Sequence, residues 1–262
     1  MLSYQHIYHA GNLADVQKHA LLAWMLDYLT GKDKPMSYIE THAGRGLYDL
    51  GAAEAIKTGE AAQGIARAEA WFDPGHPYRR ALARVRRAHG ARSYPGSPLL
   101  AKALLRPGDS MHLAELHPQE HAALHTALHT DSRGAKATVY KQDGLAMAQS
   151  LCPPTPRRGL LLIDPSYEIR KEYDALPRAI AALHRKWNVG IIALWYPVLT
   201  DPAHDAMLQA LVEAHPEALR HEVRFPPARD GHRMVGSGMF VVNPPFGLDA
   251  EAARLTQLFK KA

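Results

Sequence analysis

Short apolar runs alternate with amphipathic segments along most of the chain. A helical pattern follows Gly11 and Asn12, with Asn12 placed to cap the helix, Asp15 in its first turn and Gly31 near its end. Beyond it, the pattern predicts strands at residues 36–40, 111–115, 138–141, 160–163 and 190–196, with helices at 118–130 and 173–187. This alternation is typical of an α/β protein with a mainly parallel sheet.

Two regions depart from this alternation. Residues 219–225 and 239–242 form apolar runs joined by a connection that has no room for a crossover helix, so we expect them to pair antiparallel. Residues 50–94 have helical periodicity without a clear strand and indicate an inserted helical subdomain. We therefore predict a seven-stranded sheet with its last strand reversed, built from residues 1–49 and 95–262.

The first candidate ligand loop follows the strand at residues 36–40. Glu40 closes this strand, and Gly44 and Gly46 let the backbone approach a ligand, although a Gly-x-Gly alone also fits a tight turn. Glu115 and Asp143-Gly144 follow the next two strands. Acids at successive strand ends suit a nucleoside, because open α/β sheets bind ligands outside the carboxyl ends of their strands.

A second candidate loop gives the sharpest chemical signal. Residues 159–167, GLLLIDPSY, predict an apolar strand that is followed directly by an Asp-Pro-x-aromatic turn. The Asp164 carboxylate and the Pro165 carbonyl can each accept an N–H of an exocyclic amine, and the Tyr167 ring can stack on the base. The two loops together predict a methyltransferase, with a donor over the first loop, an acceptor base over the second and catalysis mainly by positioning. The alternative for the turn is a rigid strand-to-helix connection with Asp164 as a cap.

A second sequence also resembles a base-binding turn of this kind: Asn243-Pro244-Pro245-Phe246. It matches the Asn-Pro-Pro-aromatic form more literally than the turn at Asp164. Only residues 247–262 follow it, too few for the strands that must come after a central catalytic strand. We interpret this copy as structural.

Composition and charge narrow the class of protein. With 262 residues, 47% hydrophobic and 22% charged, the chain has enough apolar residues for one large core, so a disordered chain is not expected. Cys152 is the single cysteine and cannot form an intramolecular disulfide, and no leader or membrane-spanning run is recognisable, so we expect a cytoplasmic protein with no membrane partner. The histidines show no His-Glu-x-x-His spacing, so we expect no metal.

Positive charge is concentrated in one stretch of the chain. The net charge is +5, and no acidic residue lies between Asp73 and Asp109, a region with seven arginines. Helical spacing places Arg80, Arg84 and Arg87 on one face. Such segregation favours a nucleic-acid partner over an ordinary charged surface.

Several blocks of sequence, spread over nearly the whole chain, resemble the bacterial RlmJ (formerly YhiR) family. They are MLSY at 1–4, HAGN at 9–12, ADV at 14–16, KH at 18–19, THAG at 41–44, YPGSP at 94–98, ELHP at 115–118 and LWYP at 194–197. The resemblance implies a class I, Rossmann-like methyltransferase domain with a small helical insertion. It also implies methylation of the N6 amino group of one adenosine in 23S ribosomal RNA, with S-adenosylmethionine as donor. In place of the family's second proline after the aspartate this chain has Ser166.

The resemblance also implies roles for individual residues. Asp164 is the catalytic acceptor, flanked by Pro165 and Tyr167, and the acceptor side carries Tyr4, His6 and Lys18. The donor site is lined by His19, His42, Gly44, Ser97, Glu115, Asp143, Gly144 and Asp164. We expect a monomer acting on ribosomal RNA. The alternatives are a noncatalytic RNA-binding module, and methylation of DNA adenine or protein glutamine by the same tetrapeptide.

Overall fold

The structure of the protein is a computed structural model, which describes residues 5–129, 134–168, 170–228, 231 and 233–261. The strands, in chain order, are β1 (Ser37–Glu40), β2 (Leu47–Asp49), β3 (Ser93–Pro95), β4 (Ser110–Ala114), β5 (Lys136–Tyr140), β6 (Gly159–Ile163), β7 (Ile191–Leu199), β8 (Leu219–Arg224) and β9 (Met234–Val242). The helices are α1 (Leu13–Thr30), α2 (Ala53–Thr58), α3 (Glu60–Gln63), α4 (Ile65–Ala68), α5 (Pro77–His89), α6 (Ser97–Leu104), α7 (Pro118–His129), α8 (Gly144–Leu151), α9 (Lys171–Lys186), α10 (Asp205–Ala214) and α11 (Leu248–Phe259).

Within the described residues, seven strands form one sheet in the order β5-β4-β1-β6-β7-β9-β8. The pairs from β5 to β7 are parallel, and β9 runs antiparallel to both β7 and β8. The predicted sheet with a reversed last strand is confirmed. Because β1 and β6 are adjacent and parallel, the two candidate ligand loops that follow them lie at the same edge of the sheet.

Helix α1 begins and ends where the sequence predicts. The Asn12 side chain accepts a hydrogen bond from the Asp15 N–H, and Gly31 follows the last turn. The helix is buried on most of its surface, including the polar residues Gln17, Lys18 and His19. This burial explains its weak amphipathicity, and it places charged side chains of α1 inside the protein.

The segment between β2 and β3 is mainly helical, as predicted. The strands β2 and β3 pair antiparallel at its base, and neither was predicted, because three residues are too few to show alternation. Buried side chains of α5, such as Leu82 and Val85, belong to the same apolar cluster as those of α1. The division into residues 50–94 and the rest stays a prediction, and this shared core favours joint folding of the two parts.

The Asn243 motif lies at the opposite edge of the sheet from Asp164. The Asn243 side chain donates to the carbonyls of Asn188 and Gly190, 2.9 and 2.8 Å away, just before β7 begins. It therefore ties β9 to the start of β7, in agreement with the structural interpretation. In the described part of the chain, no helix is both long and apolar enough to cross a bilayer.

Candidate active site

A cavity of about 1010 Å³ opens at the carboxyl ends of the parallel strands. All the residues to which the resemblance gave a catalytic, donor-side or acceptor-side role line it, except Tyr4, which lies outside the described ranges. They are His6, Lys18, His19, His42, Gly44, Ser97, Glu115, Asp143, Gly144, Asp164, Pro165 and Tyr167. The cavity is at the upper end of the usual size for ligand pockets, which leaves room for a nucleoside cofactor beside a flat base.

Asp164 follows the last residue of β6 and is held by a cation from α1. The Lys18 ammonium lies 2.7 Å from Asp164 Oδ2 and 3.2 Å from Asp15 Oδ1, so one charge bridges two carboxylates. The Lys18 side chain is only 6% exposed, whereas that of Asp164 is 14% exposed. A carboxylate has about four acceptor positions, so the contact with Lys18 leaves Asp164 able to accept from a ligand.

Asp15 connects the amino-terminal segment to this bridge. Its Oδ2 accepts from the Gly11 N–H and contacts His6 Nε2, both at 2.9 Å. Burial alone raises the pKa of Asp15, but the neighbouring His6 and Lys18 outweigh it and hold the pKa well below its usual value. The sequence indicated Asp15 only as a helix-start residue; the structure shows it to be the buried counter-ion of Lys18.

Tyr167 takes a left-handed backbone conformation, with φ of +55°. Its hydroxyl donates to the Trp195 carbonyl at 2.7 Å, and its ring packs 4.7 Å from that of Tyr173. Such a conformation is uncommon for an aromatic residue and needs contacts like these to hold it. The turn after β6 is thus fixed with the aromatic ring against the cavity.

The loop after β1 is held by an acid from the neighbouring strand. Glu115 follows β4 and accepts from the N–H groups of Gly44 and His117, at 2.8 and 2.7 Å. Burial raises the pKa of Glu115, and those two hydrogen bonds oppose the rise. Both oxygens of Glu115 are therefore fixed by backbone donors beside the cavity.

Asp143 and Gly144 form the third loop of the donor side. Asp143 caps α8 by accepting from the Ala146 N–H at 2.7 Å. A Cβ on Gly144 would lie 1.8 Å from the Thr41 carbonyl oxygen, so only glycine allows the loops after β1 and β5 to approach this closely.

Glu40 does not take the place that the sequence suggested. It is fully buried, hydrogen-bonded to the hydroxyls of Ser97 and Tyr38, and is not among the residues that line the cavity. Burial raises its pKa to about 8. The expectation that this acid faces a ligand was wrong. Of the three acids at the strand ends, Glu115 and Asp143 line the cavity, whereas Glu40 lies outside it and is hydrogen-bonded to Ser97.

The histidines near the cavity bind different partners. His9 contacts Glu60, His19 contacts the Tyr94 hydroxyl and His42 contacts the Thr41 hydroxyl, at 2.9, 2.9 and 2.7 Å. Burial lowers the pKa of His19 to about 3, so its ring is neutral. Among the residues that the structure describes, no group of three His, Cys, Asp or Glu side chains is arranged to hold a metal ion.

The arginines of α5 are less free than the sequence suggested. Glu69 pairs with Arg79 and Arg86, at 3.0 and 2.7 Å, and Asp27 pairs with Arg80. Acids from outside the acid-free stretch therefore neutralise part of it. Arg84 and Arg87 remain exposed on the surface of the helix.

Comparison with known proteins identifies the family of this chain. The family model described as ribosomal RNA large subunit methyltransferase D, RlmJ, matches residues 33–262. The chain belongs to the RlmJ family. The proteins named ribosomal RNA large subunit methyltransferase J from Escherichia coli (strain K12) and Haemophilus influenzae are 41% and 35% identical to it. These matches cover 96% and 100% of this chain, and 90% and 94% of the relatives.

Solved structures agree with the fold. A crystal structure of a Legionella pneumophila protein is 33% identical, with a TM-score of 0.85, and the match covers 97% of this chain and 93% of that one. A SAM-dependent methyltransferase from Agrobacterium tumefaciens has a TM-score of 0.50 at 10% identity, over 87% of this chain and 62% of the other. The second likeness shows the fold alone, which is that of Rossmann-like methyltransferases.

Proposed function

We propose that this member of the RlmJ family transfers a methyl group from S-adenosylmethionine to the N6 amino group of an adenosine in 23S ribosomal RNA. Methylation of large-subunit ribosomal RNA follows from the family and from the names of its relatives. The donor, the target atom and the residue roles are the finer part of the proposal. The observation that carries them is that the Asp164 turn and the Gly44 loop share one cavity.

The donor side suits a nucleoside. Glu115 presents a carboxylate fixed by two backbone N–H groups, a suitable acceptor for ribose hydroxyls, and Gly44 and Gly144 line the same cavity. The bound S-adenosylmethionine would supply an electrophilic methyl group on sulfur. The proposed donor site is completed by four other residues of the cavity wall: His19, His42, Ser97 and Asp143.

The acceptor side suits an aromatic amine. The lone pair of the adenine N6 is delocalised into the ring, which makes the nitrogen a weak nucleophile. The site must therefore accept hydrogen bonds from both N–H groups as the nitrogen attacks. Asp164 and the Pro165 carbonyl can accept these two N–H groups, while the ion pair with Lys18 orients the Asp164 carboxylate. The new bond to nitrogen would form as the carbon–sulfur bond of the donor breaks, and the extra proton would then pass from the methylated nitrogen to water.

Substrate RNA would approach the open side of the cavity. His6 and Lys18, the described residues of the proposed acceptor side, line the cavity and are joined through Asp15. An unpaired adenine must leave its stack to reach Asp164. The exposed Arg84 and Arg87 of α5 are proposed to contact the phosphate backbone.

Transfer of a labelled methyl group tests the proposal. The purified chain is incubated with labelled S-adenosylmethionine and, in parallel, transcribed fragments of 23S ribosomal RNA, duplex DNA and protein. We expect label in one RNA fragment, recovered after digestion as N6-methyladenosine. Label in DNA or protein alone would contradict the RNA assignment, and RNA binding without donor binding in calorimetry would favour a noncatalytic module.

A further inference from the structure

Trp195 stands beside Asp164 on the neighbouring strand. The parallel pair β6 and β7 aligns Ile163 with Leu194, so Asp164 and Trp195 occupy the next position on each strand. Leu162 and Ala193, two residues earlier, both face the apolar cluster that contains α1. Since side chains alternate along a strand, Asp164 and Trp195 project to that same side, and both line the cavity.

The Trp195 ring meets the residues that define the acceptor side. The Lys18 ammonium lies 5.3 Å from its ring centroid, within the range of a cation–π contact. The ring centroids of Trp195 and Tyr167 are 6.0 Å apart, with their planes at 59°. The two rings thus form a corner next to Asp164, and a base stacked on one ring would present its edge to the other.

A chain of buried hydrogen bonds fixes the orientation of the indole. Trp195 Nε1–H donates to Ser237 Oγ at 2.8 Å, and the Ser237 hydroxyl donates to Gln17 Oε1 at 2.7 Å. Gln17 Nε2 in turn lies 3.0 Å from His221 Nδ1. The side chain of Gln17 and that of Ser237 are fully buried, so neither can exchange these partners for water.

The far end of the chain of hydrogen bonds sets its direction. His221 Nε2 lies 3.0 Å from Thr256 Oγ1, and the Thr256 hydroxyl donates to the Ala252 carbonyl. Because that hydroxyl hydrogen is already used, His221 Nε2–H must donate, and Nδ1 is left to accept from Gln17. Every donor from the indole to α11 therefore has an acceptor, and rotating the indole would leave its N–H without the Ser237 acceptor.

Core packing alone does not require this arrangement. Trp195 is half-buried, and apolar residues at positions 17 and 237 would fill the same space without burying polar atoms. Burying polar groups is unfavourable unless each is paired. The buried hydrogen bonds are therefore best explained by the orientation that they give the Trp195 indole. We propose that Trp195 is a substrate-binding residue whose indole forms the second wall of the adenine pocket, positioned by Ser237 and Gln17. The inference rests on the proposed function.

Substitution of the ring tests the inference. Replacing an aromatic residue that stacks on a base by alanine weakens binding roughly 5- to 140-fold. We expect Trp195→Ala to lower kcat/KM for the RNA fragment by a factor in that range, mostly through KM, and to leave the Kd of S-adenosylmethionine within twofold. Trp195→Phe, which keeps an apolar wall, should lower it less. Equal losses in RNA and donor binding, or a folded Trp195→Ala with unchanged kcat/KM, would overturn the inference.

Ser237→Ala tests the positioning role without altering the cavity wall. We expect it to raise KM for RNA in the wild-type background and to have no further effect on KM in the Trp195→Phe background, which lacks the indole N–H. Effects that add in the double variant would show that Ser237 acts separately from Trp195. Trp24→Phe is the matched control, because Trp24 is also half-buried but stacks on Tyr28 outside the cavity.

A binding measurement separates this inference from the proposed function. Trp emission should be quenched when the wild-type and Trp24→Phe proteins bind a short adenine-containing RNA, and the quenching should be largely lost in Trp195→Phe. Equal quenching in the wild type and both variants would refute the proposal that Trp195 contacts the base. Because quenching reports base contact rather than methyl transfer, a wild-type protein that quenches but transfers no methyl group would count against the proposed function alone.

Discussion

Replacing Lys18 by methionine removes the charge that bridges Asp15 and Asp164. The side chain of Lys18 is 6% exposed, and the carboxylates lie 3.2 and 2.7 Å from its nitrogen. The variant therefore leaves two acids facing each other on opposite sides of an apolar side chain. Removing one partner of a buried ion pair costs about 3–5 kcal/mol.

The expected consequence is a large loss of stability that depends on pH. In a protein of this size, about 1 kcal/mol lowers Tm by roughly 2–4 °C, so Lys18→Met should unfold roughly 6–20 °C below the wild type at pH 7. Lys18 helps to hold the pKa of Asp15 well below its usual value, a contribution to stability that is present above the pKa of the unfolded chain and lost as pH falls through the folded pKa. The difference between variant and wild type should therefore persist down to about pH 4 and shrink below it.

Thermal unfolding followed by circular dichroism at pH 7.0 and at about pH 3 measures this difference. Lys57→Met is the matched control, since Lys57 is exposed in α2 and its loss should change stability by at most about 0.5 kcal/mol. A Lys18→Met protein as stable as the control at pH 7, or a deficit that grows towards acid, would refute the bridged-carboxylate account.

Three further predictions concern the support of the site and its RNA contacts. Burial raises the pKa of Glu40 to about 8 from 4.5, so wild-type stability should fall as pH rises between those values, and Glu40→Gln should lack this fall in a pH series of denaturant melts. Gly144→Ala should lower the free energy of unfolding by about 1–3 kcal/mol and weaken donor binding in calorimetry, because the new Cβ would meet the Thr41 carbonyl oxygen. Gly108→Ala is the control and should have a small effect, since a Cβ on Gly108 meets nothing within 4 Å. Replacing Arg80, Arg84 and Arg87 of α5 together should weaken RNA binding and flatten the dependence of the binding constant on salt concentration. An unchanged salt dependence would show that these arginines do not contact RNA phosphates.

The sequence predicted the sheet and the cavity because both depend on local pattern and chain order. Apolar runs alternating with helices define parallel strands, and parallel strands bring their carboxyl ends to one edge. Chain order alone therefore places Asp164, Gly44 and Glu115 around one cavity. The family resemblance added His6 and Lys18, which no local pattern distinguishes from a solvated helix face.

The remaining features depend on contacts between distant parts of the chain. Lys18 pairs with Asp164, which is remote in sequence, and the hydrogen bonds from Trp195 join α1 to the last strands. Glu40 looked like a ligand-binding acid because it closes a strand, yet its orientation is set by Ser97 from another segment. The acid-free arginine stretch likewise acquires Glu69 and Asp27 only on folding.

Asp164→Asn is the most direct test of the central claim, which is that the Asp164 carboxylate accepts an N–H of the target amine. The substitution keeps the size of the side chain, and Lys18 retains Asp15 as a partner. We predict that donor binding in calorimetry stays within a few-fold of wild type while methyl transfer to RNA falls by about 10²–10³-fold, the usual effect of removing one electrostatic stabiliser. Asp174→Asn, an exposed acid of α9, should change neither. Methyl transfer near the wild-type rate in Asp164→Asn, or equal loss of donor binding and transfer, would contradict the claim.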